Sequence, residues 1–293
     1  MTIYNLGSIN IDHIYTLPHL VRAGETLAAT EMQSALGGKG ANQSIAIARA
    51  GGKVCHGGMI HKGDVSWLKE MTDAGVETSF IIYGDMPTGH AIVAVDAKTA
   101  ENQIILSPSC NANIPDDLVA RLLENAASDA SSQHWALAQN ETNKTADFLK
   151  AAKAKGMKIC YSAAPFVADI TADLLPLVDL LIVNEGEYQD LKSHLGHGDF
   201  GLDHLIITKG GDGAFYQGLD GEFEIAAHKV DAVDTTGAGD TYLGYVLAGL
   251  DQGMDMKAAM EMASTAAAIQ VTRLGASAAI PKKSEVLNTV FDK

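Results

Sequence analysis

The sequence predicts an α/β fold: a mostly parallel, doubly wound sheet covered by helices on both faces, with a small second β layer. Three observations carry this. Short apolar runs rich in β-formers alternate with Ala-rich helical stretches, the pattern of strands that need cover on both sides. Two regions break that alternation and read as hairpins. The 293 residues are 47% hydrophobic and 19% charged, which suits one large packed unit and is too apolar for long disorder. No stretch rich in Pro, Gly or Ser divides them.

Taken in order, Ile3–Leu6 opens the chain as an apolar strand. His13–Leu17 and Leu27–Ala35, around a turn at Ala23-Gly24-Glu25, make the first hairpin. Gln43–Ala50 reads as a helix with Ala41, Ile45 and Ala48 among its apolar positions. Gly89–Val95 and Gln103–Leu106, around Asp96–Asn102, make the second hairpin. Helices are predicted at Pro115–Ala127 and Thr142–Lys155, on either side of the strand-like Trp135–Ala138. Lys158–Tyr161, Leu180–Val183, Leu205–Thr208 and Gly213–Gln217 are strands, and Gly237–Leu250 and Lys257–Thr272 are helices.

Charge narrows the partners. Lys and Arg number 21 against 36 Asp and Glu, a formal charge of −15 that repels nucleic-acid backbones and anionic membrane surfaces. A phosphorylated small ligand stays open, because one local site can oppose the global field. Cys55, Cys110 and Cys160 are widely spaced with no CxxC pair, which argues against a disulfide framework or a zinc knuckle. The ten histidines show no HExxH. The start has neither a basic segment nor a long apolar run, and no run approaches the roughly 18 apolar residues of a membrane span, so the expected location is cytoplasmic.

The strongest chemical signal is Val233-Asp234-Thr235-Thr236-Gly237-Ala238-Gly239-Asp240-Thr241, where a strand enters a glycine turn and a helix leaves it. Gly237 and Gly239 remove side chains where an anion would approach the backbone. The first helical N–H groups lack internal partners, and the dipole adds positive potential. Asp240 puts a carboxylate beside that anion hole; read alone, it is as readily a charge at a helix start. Gly37-Gly38-Lys39-Gly40-Ala41-Asn42-Gln43 also precedes a helix, and Lys39 suits a phosphate or sugar hydroxyls or simply solvent. It is neither a Walker A loop nor a GxGxxG fingerprint.

Gly7-Ser8-Ile9-Asn10-Ile11-Asp12 lies at the first strand's end, where open α/β sheets bind ligands. Asn10 and Asp12 alternate with Ile9 and Ile11, so an amide and a carboxylate share a face and suit a polyol, or open the hairpin as an Asx turn. Asn184-Glu185-Gly186-Glu187 suits a hydrated magnesium ion or a helix cap. Thr208-Lys209-Gly210-Gly211-Asp212-Gly213 suits a nucleotide or a hairpin. Glu141 is uninformative by itself.

Together these motifs resemble the ribokinase-like, PfkB-type carbohydrate kinase family almost from end to end. The most specific parts are LGSINIDH at 6–13, GGKGANQ at 37–43 and VDTTGAGDT at 233–241. AGET at 23–26, CNAN at 110–113, NEGE at 184–187, ITKGGDGA at 207–214 and AAAIQVTRLGA at 266–276 support them, and the pattern looks most like the ribokinase branch. The resemblance implies a three-layer αβα sandwich with a small β lid. Residues 1–11, 37–87 and 108–293 would form the nucleotide-binding and catalytic domain. Residues 12–36 and 88–107 would form the lid, through which a homodimer would pack.

It also implies roles. Asp240 would be the general base, with the N–H groups of Gly237, Ala238, Gly239 and Asp240 as anion hole. Asn10, Asp12, Gly38, Lys39, Asn42 and Glu141 match sugar-contacting positions. Asn184, Thr208, Gly210, Gly213 and Gly239 match the ATP side, with Ser264 at the adenine-side position that is His or Asn in the family. Glu187 matches the Mg2+-associated position. Asp234, Thr236, Gln270, Arg273, Gly275 and Ala279 match a monovalent-cation (K+) loop, where Ala279 lacks the frequent hydroxyl. Ser162-Ala163-Ala164-Pro165 stands where ribokinases often have Asn-Pro-Ala-Pro. The expected activity is ATP-dependent phosphorylation of D-ribose at its 5-hydroxyl. The alternatives are another pentose, a ketohexose or a nucleoside as substrate, or a silent sugar-binding regulator.

Overall fold

The computed structural model describes residues 1–99, 101–124, 126 and 134–291. Its strands are β1 (Ile3–Leu6), β2 (Asn10–Leu17), β3 (Glu31–Gly37), β4 (Val54–His61), β5 (Glu77–Gly84), β6 (Gly89–Asp96) and β7 (Asn102–Ser107). They continue with β8 (Trp135–Gln139), β9 (Lys158–Ser162), β10 (Leu180–Asn184), β11 (His204–Thr208), β12 (Ala214–Gly218) and β13 (Gly221–Ile225). The helices are α1 (Lys39–Arg49), α2 (Leu68–Ala74), α3 (Asp117–Glu124), α4 (Thr145–Ala154) and α5 (Ala168–Leu174). α6 (Glu185–Leu195), α7 (Ala238–Asp251), α8 (Met256–Val271) and α9 (Lys283–Asn288) complete the set.

The large sheet runs β13-β12-β11-β10-β9-β8-β1-β4-β5. Every neighbour pair from β5 to β11 is parallel, and only β12 and β13 at one edge are antiparallel. Two hydrophobic cores flank it. Ile45, Met71, Val246, Met260 and Val286 bring α1, α2, α7, α8 and α9 to one face. Leu122, Phe148, Leu174 and Leu191 bring α3, α4, α5 and α6 to the other. Strand residues divide between the cores by the two-residue period: Ile3 enters the first, Tyr4 and Leu6 the second. From β1 the chain builds β4 and β5 to one side and β8 to β11 to the other. The crevice between β1 and β8 is thus a point where the winding reverses, and ligands of open α/β sheets bind there, beyond the carboxyl ends of the strands.

The small sheet has the order β3-β2-β6-β7. Its two hairpins are joined by a parallel β2–β6 ladder with Asn10 opposite Gly89. β3 starts at Glu31 rather than Leu27, because the Thr30 N–H and hydroxyl both bond back to the Thr16 carbonyl, closing the turn there. β2 starts at Asn10, three residues before the predicted His13, because Asn10 pairs with Gly37 on one side and Gly89 on the other. The Thr208–Gly213 turn does form a hairpin, β11–β12. β4 and β5, read from no pattern in the sequence, fill the sheet's other side. The predicted helix end at Ala127 lies outside the described residues; the helix there spans Asp117–Glu124.

Candidate active site

Glycines bring two helix starts against the end of β1. Gly38, at φ 91°, caps α1, and a Cβ there would lie 2.9 Å from Asn10 N and from the Ser8 carbonyl. A Cβ on Gly40 would come within 2.5 Å of Gly7 Cα. Gly244 lets α7 touch α1, since a Cβ there would meet Ala46 at 2.4 Å. Gly237 caps α7 at φ 76°, in the left-handed region that glycine favours. Because α1 and α7 lie this close, Asn42 and Gln43 reach Asp240 in the first turn of α7. Asn42 Nδ2 donates to one carboxylate oxygen over 3.1 Å, and Gln43 Nε2 to the other over 2.8 Å.

Asp240 keeps part of its surface open to the crevice. Burial pushes its carboxyl up; Lys39, Gln43 and Asn42 pull it back, and Glu141 adds to the rise. Around it stand the other sugar-side residues predicted from the motifs. Glu141 follows β8, and one of its oxygens accepts from the Ser8 hydroxyl and, over 3.1 Å, from the Lys39 N–H. Asp12 lies against Gly37, and its carboxyl is pushed up to about 6 by burial and by Glu141, with Lys39 opposing. Asn10 is buried, and its Oδ1 accepts from Asn111 Nδ2 over 2.7 Å. Asn42 Oδ1 is buried and finds no hydrogen-bond partner among the described residues, which leaves an acceptor open. Lys39 bears electrostatically on Asp12, Asp240 and Glu187 alike.

A cleft of about 450 Å3 continues from the start of α7. Thr208, Gly210, Gly213, Gly239 and Ser264 line it, beside apolar Val230, Ala267 and Val271. Gly213, at φ 100°, could hold no Cβ, which would fall 2.0 Å from the Ile225 carbonyl. The Ser264 hydroxyl donates to the Ala226 carbonyl over 3.2 Å, and His228 stacks on Phe291 with ring centroids 4.4 Å apart. Asn184 is not among the lining residues; its side chain accepts from Glu187 N over 2.9 Å and caps α6. Glu187 closes the capping box by accepting from Asn184 N over 2.8 Å. Burial pushes the Glu187 carboxyl up, and Lys39 is among the groups that oppose it.

Among the described residues no three His, Cys, Asp or Glu side chains converge as a metal cluster. One carboxylate, Glu187, fits a magnesium ion that keeps its waters and is held mainly by nucleotide phosphates. The other candidate loop is tied to the start of α7. Asp234 accepts from the Thr236 and Gly275 N–H groups, each over 2.9 Å. Burial works to raise its carboxyl, but these hydrogen bonds outweigh it and hold the group below its ordinary value. The Gln270 amide donates to the Thr236 carbonyl over 2.8 Å and accepts from the Thr241 hydroxyl. The Arg273 side chain pairs with Glu285 over 2.7 Å, and Ala279 is buried. An ionised carboxylate with carbonyls nearby fits a monovalent cation; Ala279 offers it no hydroxyl.

Four residues of this site were not singled out by sequence reasoning. Gln43 and Ser8 stand inside quoted motifs and Asn111 inside the supporting CNAN, so spacing pointed to them without a role. Gln139, which donates to Gln43 over 2.6 Å, carries no motif.

Comparison with known proteins shows the family and the fold. The pfkB family carbohydrate kinase pattern matches residues 2–283. A ribokinase from Haemophilus influenzae is 35% identical over 98% of this chain and 97% of its own. The crystal structure of a ribokinase from Thermotoga maritima superposes with a TM-score of 0.86 at 31% identity, covering 98% of both chains. That of a ribokinase from Cryptococcus neoformans in complex with ADP gives 0.84 at 30%, again over 98% of both.

Proposed function

The chain belongs to the pfkB family of carbohydrate kinases, phosphotransferases acting on alcohol groups, and from that membership we propose that it transfers the γ-phosphoryl group of ATP to the 5-hydroxyl of D-ribose. The observation that carries the proposal is the convergence of Asn42 and Gln43 on Asp240 at the N-terminus of α7. Two donors hold the carboxylate still and favour its ionised form inside a partly buried crevice.

Asp240 takes the proton of the sugar hydroxyl. The oxygen so activated bonds to the γ-phosphorus as the bond to ADP breaks, and ADP leaves. The amides of Gly237 to Asp240 at the helix start face the charge on the transferring group. Positioning and charge stabilisation supply most of the catalysis in this reaction class, so a modest base suffices. Asp12, Glu141, Asn10, Asn42, Lys39 and the Gly38 backbone grip the sugar hydroxyls. The cleft lined by Thr208, Gly210, Gly213 and Ser264 takes the nucleotide, and Asn184 flanks its phosphates.

Mg2+, associated with Glu187, would offset phosphate charge. K+ in the loop of Asp234, Thr236, Gln270, Arg273, Gly275 and Ala279 would stiffen the backbone entering α7. The small sheet acts as a lid over the sugar, its boundaries near 12–36 and 88–107. Ile104 and Ile105, 61% and 66% exposed on its edge strand β7, fit a second copy's lid, and hence a homodimer. A cytoplasmic location fits a chain in which, among the described residues, no helix is long and apolar enough to cross a membrane.

The test is a coupled assay of ADP release with ribose, 2-deoxyribose, fructose and a nucleoside. Ribose is expected to give the highest kcat/KM, and 2-deoxyribose to fall below it for want of one hydroxyl partner. A nucleoside or ketohexose ahead of ribose by about tenfold, some 1.4 kcal/mol, would overturn the ribose assignment and leave the family intact.

A further inference from the structure

A row of buried amides leads from Asp240 away from the crevice and into the sheet. Gln43 Nε2 donates to Asp240 over 2.8 Å. Gln43 Oε1 accepts from Gln139 Nε2 over 2.6 Å, and the same nitrogen donates to Asn5 Oδ1 over 3.0 Å. Asn5 Nδ2 donates to the Gly40 carbonyl over 2.9 Å and to the Ser44 hydroxyl over 2.8 Å. Asn5, Gln43, Ser44 and Gln139 are each no more than 1% exposed.

The direction in which each amide lies decides what Asp240 faces, since oxygen and nitrogen ends are nearly the same shape. The Gly40 carbonyl can only accept. Asn5 must therefore turn its nitrogen to Gly40 and its oxygen to Gln139. Gln139 must turn its nitrogen to Asn5 Oδ1, since reversed it would set two acceptor oxygens against each other, and that same nitrogen then calls for the oxygen of Gln43. Gln43 is then left with its nitrogen toward Asp240. The polarity seen by the carboxylate is thus set at a backbone carbonyl three side chains away.

We infer that Gln139, acting through Gln43, is a positioning residue that locks a hydrogen-bond donor onto Asp240 and so keeps this carboxylate fixed and ionised for proton abstraction. The inference rests on the role proposed for Asp240. Without the lock, Gln43 can turn its oxygen toward the carboxylate, which loses a donor and meets a repulsive dipole. The charged groups bearing on Asp240 are Lys39 at the start of α1, which favours ionisation, and Glu141 after β8, which opposes it. Asp12 on β2 faces the same two groups.

The test compares wild type, Gln139→Met, Gln43→Met and the double variant. The titration of Asp240 is followed by carboxyl 13C NMR, its resonance assigned with Asp240→Asn, and kcat is measured against pH. Both single variants should move the Asp240 titration and the acid limb of kcat upward by on the order of one pH unit. At neutral pH kcat should fall about tenfold, with the sugar KM within about threefold. The double variant should match Gln43→Met within about twofold, because Gln139 acts only through Gln43.

A purely structural role would lower the melting temperature and leave the titration in place. Folded variants in which Asp240 titrates as in wild type, or a double variant losing the product of the two single losses, would overturn the inference. If Gln139→Met does not fold, Gln139→Asn, whose shorter side chain draws the amide back from Gln43, carries the titration test, and an unmoved Asp240 titration there overturns the inference. If wild type phosphorylates no sugar while the variants still shift Asp240, the sugar-kinase reading falls and the positioning stands. If wild type turns over ribose and the titration does not move, the reverse holds.

Discussion

Asp12 shows what the site takes from the fold. Its carboxyl is pushed up to about 6, from 3.8, first by burial and then by Glu141, and Lys39 only partly offsets them. Between those two pH values the folded protein binds more protons than the unfolded chain, so ionising Asp12 costs stability as pH rises through the window. Asp12→Asn should therefore melt at a higher temperature than wild type at pH 7, with the gap closing as pH falls below about 4. Differential scanning calorimetry across that range checks it; a gap independent of pH would contradict the assigned cause. The same carboxylate should matter to the sugar. Hydrogen bonds to charged groups contribute roughly 1.5–3 kcal/mol, so Asp12→Ala should raise the KM for ribose by about one to two decades and change the KM for ATP less. A change confined to ATP would remove the start of β2 from the sugar site.

At the scale of elements, the helix starts decide whether the proposed anion hole forms. The entry to α7 is tied down by Asp234 through Thr236 and Gly275, and by Gln270 through the Thr236 carbonyl. A monovalent cation in this loop would stiffen the same backbone. Potassium is therefore expected to raise kcat over buffer exhaustively freed of potassium and sodium, and identical rates would remove the cation from the site. The glycine turns and the alternation of strand and helix were legible because each is local in sequence. β1, β10 and β11 fell within a residue of their predicted spans for the same reason. β4 was not: Cys55-His56-Gly57-Gly58 interrupts its apolar pattern, and the buried His56 is tolerated through a bond to Ser44 on α1, a partner that no window of sequence reveals. β3 was placed early because the Thr30–Thr16 closure depends on pairing across the turn.

At the scale of the whole molecule, the candidate site is assembled from positions far apart in the chain, such as Asn42 with Asp240 and Asn5 with Gln139. Family motifs marked Asp240, Asn42 and Glu141 as candidate site residues. The pairing of Gln43 with Asp240 and the amide row behind it were not, because Asn5 and Gln139 lie in strands whose only visible signal is apolar. The exposed Ile104 and Ile105 on β7 make a further prediction at this scale. Ile105→Asp should turn a dimer into a monomer in sedimentation, while the melting temperature of the large sheet's fold changes little. A wild type that sediments as a monomer would withdraw the lid-to-lid interface.

Whether Asp240 is the base of a sugar kinase is read most plainly from kcat with ribose for Asp240→Asn, measured beside its affinity for ATP. Loss of a general base typically costs about 10² to 10⁴ in rate. A general base at Asp240 implies a fall in kcat of that size with ATP binding and thermal unfolding close to wild type. A variant that keeps its kcat within about threefold of wild type would contradict it.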